Sequence, residues 1–106
     1  MANRITILDA ATTDANGSTV INTLSNDEQT LHVVGTGTFT VKLEILQFDG
    51  STWLPVRDLN RNIVSITASE ELPISIGYGR SVRGVTSGTS GASVSVWISQ
   101  RKKRGS

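Results

Sequence analysis

The chain carries one histidine, nine carboxylates and no cysteine, so its capacity for chemistry is narrow. Without thiols there is no disulfide, no CxxC redox pair and no cysteine zinc site. One imidazole cannot build a multi-histidine metal centre. His32 lies between Leu31 and Val33, on the face expected to meet solvent, with no identifiable partner. A serine triad needs a histidine base held by a carboxylate, and a GxSxG elbow is missing. The acidic pairs Asp27-Glu28 and Glu70-Glu71 are adjacent, and neighbours in an extended chain point to opposite sides. They read as solvated turns, not as the facing carboxylates of a glycosidase. The pattern shows no Asp-rich calcium loop. Gly35-Thr36-Gly37 and Gly77-Tyr78-Gly79 are each followed by strand-like residues, whereas a phosphate cradle normally opens a helix. The expectation is a protein that is not an enzyme and uses no cofactor or metal.

Binding groups are better represented. Arg101, Lys102, Lys103 and Arg104 form the one charge cluster. It could grip an acidic surface or a phosphate backbone, or merely solvate a tail, and it reads no base sequence. The net charge of +1 gives the body of the protein no field that would recruit nucleic acid or membrane. Trp97 falls out of phase with Val94, Val96 and Ile98, among Ser93, Ser95 and Ser99. A tryptophan there is either covered by a loop or placed at an interface. Tyr78 sits in a glycine-flanked turn and is a candidate loop-tip contact. Trp53 follows a hairpin turn and is expected to pack inside.

The elements that position these groups are strands. Val, Ile and Thr supply 32 of 106 residues, and Ser with Thr 26. β-branched side chains favour a pleated surface. Alternation predicts strands over Ile5–Ala11, Ser18–Asn22, Gln29–Val34, Thr38–Phe48, Thr52–Arg57, Ile63–Ala68, Leu72–Ile76, Arg80–Thr86 and Ala92–Gln100. Phe39, Val41, Leu43 and Ile45 share a face, after which Leu46 and Phe48 change phase, suggesting a bulge or two-sided burial. Asp49-Gly50 is the strongest hairpin signal. Pro55 and Pro73 argue for edge strands. Gly35–Gly37 reads as a break or tight bend and Ser87–Gly91 as a flexible hairpin loop. Eight or nine short strands with regular turns predict a single all-β domain, residues 1–100, followed by a basic tail, residues 101–106. A jelly-roll-like β-sandwich is the first choice and an immunoglobulin-like Greek key the second. No apolar run reaches 18 residues, and Met1-Ala2-Asn3-Arg4 lacks the apolar segment of a signal peptide, so synthesis in a cytoplasm is expected. The sequon Asn16-Gly17-Ser18 is then a chance match.

Three runs carry a family resemblance: Gly37-Thr38-Phe39-Thr40-Val41, Phe48-Asp49-Gly50-Ser51-Thr52-Trp53-Leu54-Pro55-Val56, and Arg80 to Val96 with its Ser/Gly/Thr centre and alternating valines. Together they resemble small β-sandwich virion proteins of tailed bacteriophages, over about residues 30–100. Such proteins include head decoration (cement) proteins and modules of tail and fibre proteins. A single free-standing domain is more similar to the first group. The resemblance implies a capsid-surface protein that binds the major capsid protein, a homo-oligomer, commonly a trimer, and no catalytic residues. The alternatives are a tail or fibre module recognising host glycan, or a head–tail or tail assembly component. Residues 1–13 are a possible N-terminal arm. Interface candidates are Ile5, Ile7, Tyr78, Trp97 and Arg101 to Arg104.

Overall fold

The computed structural model describes residues 4–24 and 28–100. Seven strands follow in order: β1 (Arg4–Ala11), β2 (Ala15–Asn16), β3 (Val20–Ile21), β4 (Gln29–Leu46), β5 (Trp53–Pro55), β6 (Glu70–Ile74) and β7 (Ser81–Gln100). Among the described residues there is no helix. All seven strands belong to one antiparallel sheet. β4 and β7 pair along their whole lengths, from Gln29 opposite Gln100 to Ile45 opposite Val82. The far side of β7 carries β1, then β2, then β3. The far side of β4 carries β6 and β5.

This pairing decides one expectation and corrects another. Of the two readings of Gly35–Gly37, the bend holds and the break does not, and Ser87–Gly91 is not a hairpin loop. Both lie inside continuous strands. At about 3.3 Å per residue, 18 and 20 residues of straight strand would reach roughly 60 Å. The longest dimension of the molecule is 41 Å. The two strands therefore bend together, and the register slips on either side of Thr38 mark the place. Turn-type residues serve a bend in a ladder as well as they serve a loop. Gly37, at φ 76°, is indispensable there: a Cβ would lie 2.2 Å from the Gly91 carbonyl oxygen. Asp14 clips the bend from outside. Its carboxylate accepts the Thr89 amide at 2.9 Å and the Thr89 hydroxyl at 2.7 Å.

Bending wraps one face of the sheet around a single core. Leu31 and Val33 of the first half of β4 are buried opposite Ile98 and Val96. Val41 and Leu43 of the second half are buried opposite Thr86 and Gly84. Phe39, Val64, Ile66, Ile74 and Ile76 join the same cluster. The inward phases read for β4, β6 and β7 are those observed. Ile63–Ala68 is not a strand: Ile63 and Ile66 make only isolated bridges, to Arg57 and Val41. At the end of β4 there is no bulge; Ile45 and Leu46, on opposite faces, are both half-buried, and Phe48 lies beyond the strand in a turn, 92% exposed.

Ile7 is buried and Ile5 packs against the core, both on β1. They are core residues, so residues 4–11 are a strand of the sheet and not an arm. The described edges are blunted against further pairing. β1 has two register shifts and Ala10 at φ 52°. β5 has only three residues, and β6 contains Pro73 beside Glu70 and Glu71.

Gly37→Ala is expected to cost more than about 2 kcal/mol, through the left-handed backbone and the clash at Gly91. Gly50→Ala, at φ 78° in open space, is expected to cost about 1 kcal/mol. Urea unfolding of both variants checks the order.

Candidate interaction surface

Three loops meet at one end of the sheet; two buried amides hold two of them and Arg80 ties the third. Asn22 is fully buried just after β3. Its side-chain NH2 donates to the carbonyls of Ile76 at 2.8 Å and Gly77 at 3.1 Å, and its side-chain oxygen accepts the Leu24 amide. Its backbone closes the same junction, with N–H to the Arg80 carbonyl at 2.9 Å and the Gly79 N–H donating to its carbonyl at 2.7 Å. Gln29, also fully buried, accepts the Ile76 amide at 2.7 Å. Every polar group of the 76–80 turn named here thus has a partner within the chain, which fixes the turn's shape.

That turn presents Tyr78, 70% exposed. Arg80 leaves it toward the neighbouring 47–52 hairpin. Its guanidinium donates to the Leu46 carbonyl at 3.1 Å and lies 4.6 Å from the centre of the Phe48 ring. The hairpin is tied internally by Asp49, whose carboxylate accepts the amides of Ser51 and Thr52 and the Thr52 hydroxyl. These bonds, the hydroxyl first, hold the Asp49 carboxyl below its ordinary value of 3.8. Ile21, exposed on β3, pairs with Ser81 immediately after Arg80. Ile21, Phe48 and Tyr78 therefore sit on three segments knitted together through Arg80 and Asn22. Sequence reasoning found Tyr78 but missed Phe48, Ile21 and Arg80. Phe48 had a signal, since it leads the Asp-Gly turn and so stands at a hairpin tip.

The outer face of the other half of the sheet holds Trp97. No loop covers it. His32, directly across on β4, stacks on it with ring centres 5.1 Å apart and planes 9° apart. The Arg4 guanidinium lies 4.7 Å from the ring centre, and Arg4 comes from β1 on the other side of β7. The expectation that His32 lacks a partner is corrected. Glu71 lies across from it on β6, with carboxylate oxygen and Nδ1 3.0 Å apart. Ser99 Oγ lies 2.8 Å from Nε2. Glu71 is accordingly a strand residue engaged by a histidine, not part of a solvated turn. Beside Trp97 a recess of about 390 Å³ is lined by Arg4, Thr6, Leu8, Asp9, Val34 and Ser95.

Trp53, expected inside, is half-buried on the outer face, with the Arg83 guanidinium 4.1 Å from its ring centre. Arg83 also pairs with Glu44 at 2.7 Å. Phe48, Trp53 and Trp97 thus each carry an arginine on a ring face, a contact worth roughly 0.5–1 kcal/mol at an exposed site. Arg101, Lys102, Lys103, Arg104 and Asp27 lie outside the described residues. No group of three metal-ligating side chains occurs among the described residues, and no helix is long and apolar enough to cross a membrane. Comparison with family models, curated proteins and solved structures gives no match to this chain.

Asn22→Ala strands two carbonyls and an amide, and is expected to lower stability by about 3 kcal/mol in urea unfolding. Asp49 titrates lower in the folded than in the unfolded chain. Its contribution is present above about pH 4 and is lost as pH falls through the depressed folded value. Asp49→Asn should lose less stability than the parent between pH 6 and about pH 3.

Proposed function

We propose that this chain is a bacteriophage head decoration (cement) protein. It binds the outer surface of the capsid, made of the major capsid protein, and stabilises the shell by protein–protein contact. It acts as a homo-oligomer, with a trimer favoured by the resemblance, and it recognises neither specific nucleic acid nor membrane. The observation that carries the contact role is the exposed set Ile21, Phe48 and Tyr78, pre-shaped by Arg80 and the buried Asn22. Rigid exposed aromatics are the residues that most often dominate interfaces, because they bury a large area with little entropy to lose. The resemblance of residues 37–56 and 80–96 to phage virion proteins supplies the identity of the partner. The folded sheet, whose halves share one core, is compatible with the jelly-roll-like sandwich of that group. Blunted edges favour attachment through side chains over strand addition. The role asks for surface, not turnover, and needs no cofactor.

Of the aromatics Trp53, Tyr78 and Trp97, the glycan-recognising alternative keeps Tyr78 as an exposed face. A sugar stacks on a free aromatic face, and Trp97 lies between Arg4 and His32 while Trp53 is capped by Arg83. A head–tail or tail assembly role would use the same exposed set and differs in location.

Immunogold labelling of virions that carry this chain is expected to decorate heads. Label confined to tails overturns the assignment. Phe48→Ala with Tyr78→Ala should reduce binding to undecorated capsids by at least about tenfold, if each contributes 1 kcal/mol or more. Unchanged occupancy in a co-sedimentation assay overturns the proposed contact.

A further inference from the structure

The geometry points to Ser99 as an activated nucleophile, a site of acyl transfer from small carboxylic esters. Three side chains from three strands meet in the order that chemistry requires. Ser99 Oγ lies 2.8 Å from His32 Nε2, and His32 Nδ1 lies 3.0 Å from a Glu71 carboxylate oxygen. An ionised Glu71 can only accept, so it fixes the proton on Nδ1 and leaves Nε2 as the basic nitrogen facing the hydroxyl. The hydroxyl donates to Nε2. Nucleophile, base and orienting carboxylate thus stand in a triad relationship. The imidazole cannot turn freely, since it stacks on Trp97 and only 18% of its side-chain surface is exposed.

The fourth requirement is positive charge where a carbonyl oxygen would become an oxyanion. Arg4 is the direct cross-strand partner of Ser99 on β1, on the side away from His32. Its guanidinium stands over Trp97 and lines the recess of about 390 Å³. The recess borders the site through Arg4 and Trp97, on the β1 side, with Leu8 and Val34 as its apolar lining. Ser95 Oγ accepts the Ala10 amide.

The step is an acylation. The Ser99 oxygen bonds to the ester carbonyl carbon while its proton passes to His32 Nε2. The carbon–oxygen bond to the leaving alcohol then breaks, and that alcohol's oxygen takes the proton from His32. The products are O-acyl Ser99 and the free alcohol, with no change of oxidation state. Glu71 acts as a positioning residue. The reaction is independent of capsid binding and stands or falls separately from it.

The full-length protein is treated with p-nitrophenyl acetate, and acetylated peptides are quantified by mass spectrometry over time. Acetyl is expected on Ser99 ahead of Ser93 and Ser95, and absent there in Ser99→Ala. Positioned general-base catalysis contributes about a hundredfold or more, so His32→Gln should slow acetylation of Ser99 at least tenfold. Glu71→Gln, at a 72% exposed side chain, should slow it severalfold with an unchanged melting temperature. It carries the test by itself if His32→Gln does not fold. Acetyl on Ser99 at the rate of Ser93, or an unaltered Ser99 rate in Glu71→Gln, overturns the inference.

Discussion

The pairing of β4 with β7 is the constraint from which the rest follows. Every other strand is bonded to one of these two and to nothing longer. Because the pair is longer than the molecule is wide, it must bend, and the bend decides which residues become core. Alternation then does the remaining work. On either side of the bend the odd residues of β4 and the even residues of β7 face inward, so one apolar face closes on itself. The bend needs a backbone approach that tolerates no side chain, which Gly37 provides at Gly91. Hydrophobic burial, the dominant favourable term in folding, is available only once that approach is made.

The opposite face is organised by cross-strand neighbours. Rows of side chains run perpendicular to the strands, and one row reads Thr6, Trp97, His32, Glu71 across β1, β7, β4 and β6. Within it an aromatic ring, an imidazole and a carboxylate are each at the spacing of directly opposed residues. At the far end, Arg80 and Arg83 play a comparable part for Phe48 and Trp53. The outer surface is therefore stiffer than its content of serine and threonine suggests. A stiff surface loses little entropy when a partner settles on it.

Alternation made the inward faces of β4, β6 and β7 legible, because a period of two is a local property. The proline edges were legible for the same reason. The bend was legible only as an alternative to a break. Gly, Ser and Thr at 35–37 and 87–91 satisfy a turn or a bulge equally, and the distinction lies in a strand far away in the chain. His32 and Glu71 are likewise brought together by register, which no local pattern states. Ile5 and Ile7 look like arm residues only while β7 is not there to receive β1. Gln29 did carry a signal: it shares its phase with Leu31 and Val33, and an inward amide must find a buried partner, here the backbone of Ile76.

The order of the strands along the chain sets how this sheet can assemble. β7 is the last described strand, and β1, β2, β3 and β4 all depend on it. Even the innermost β4–β7 pair, Ile45 with Val82, encloses the whole of β5 and β6. A chain emerging from the ribosome can form the Asp49-Gly50 hairpin early, but a lone hairpin is marginal in water. Until Ser81–Gln100 arrives, one edge of β4 stays bare and the apolar face stays open. Folding by such distant contacts is slow, since loop closure precedes any gain from burial. During that interval the chain's protection rests on its hydroxyls, its prolines and its interrupted edges, which serve the unfinished sheet as much as the finished one.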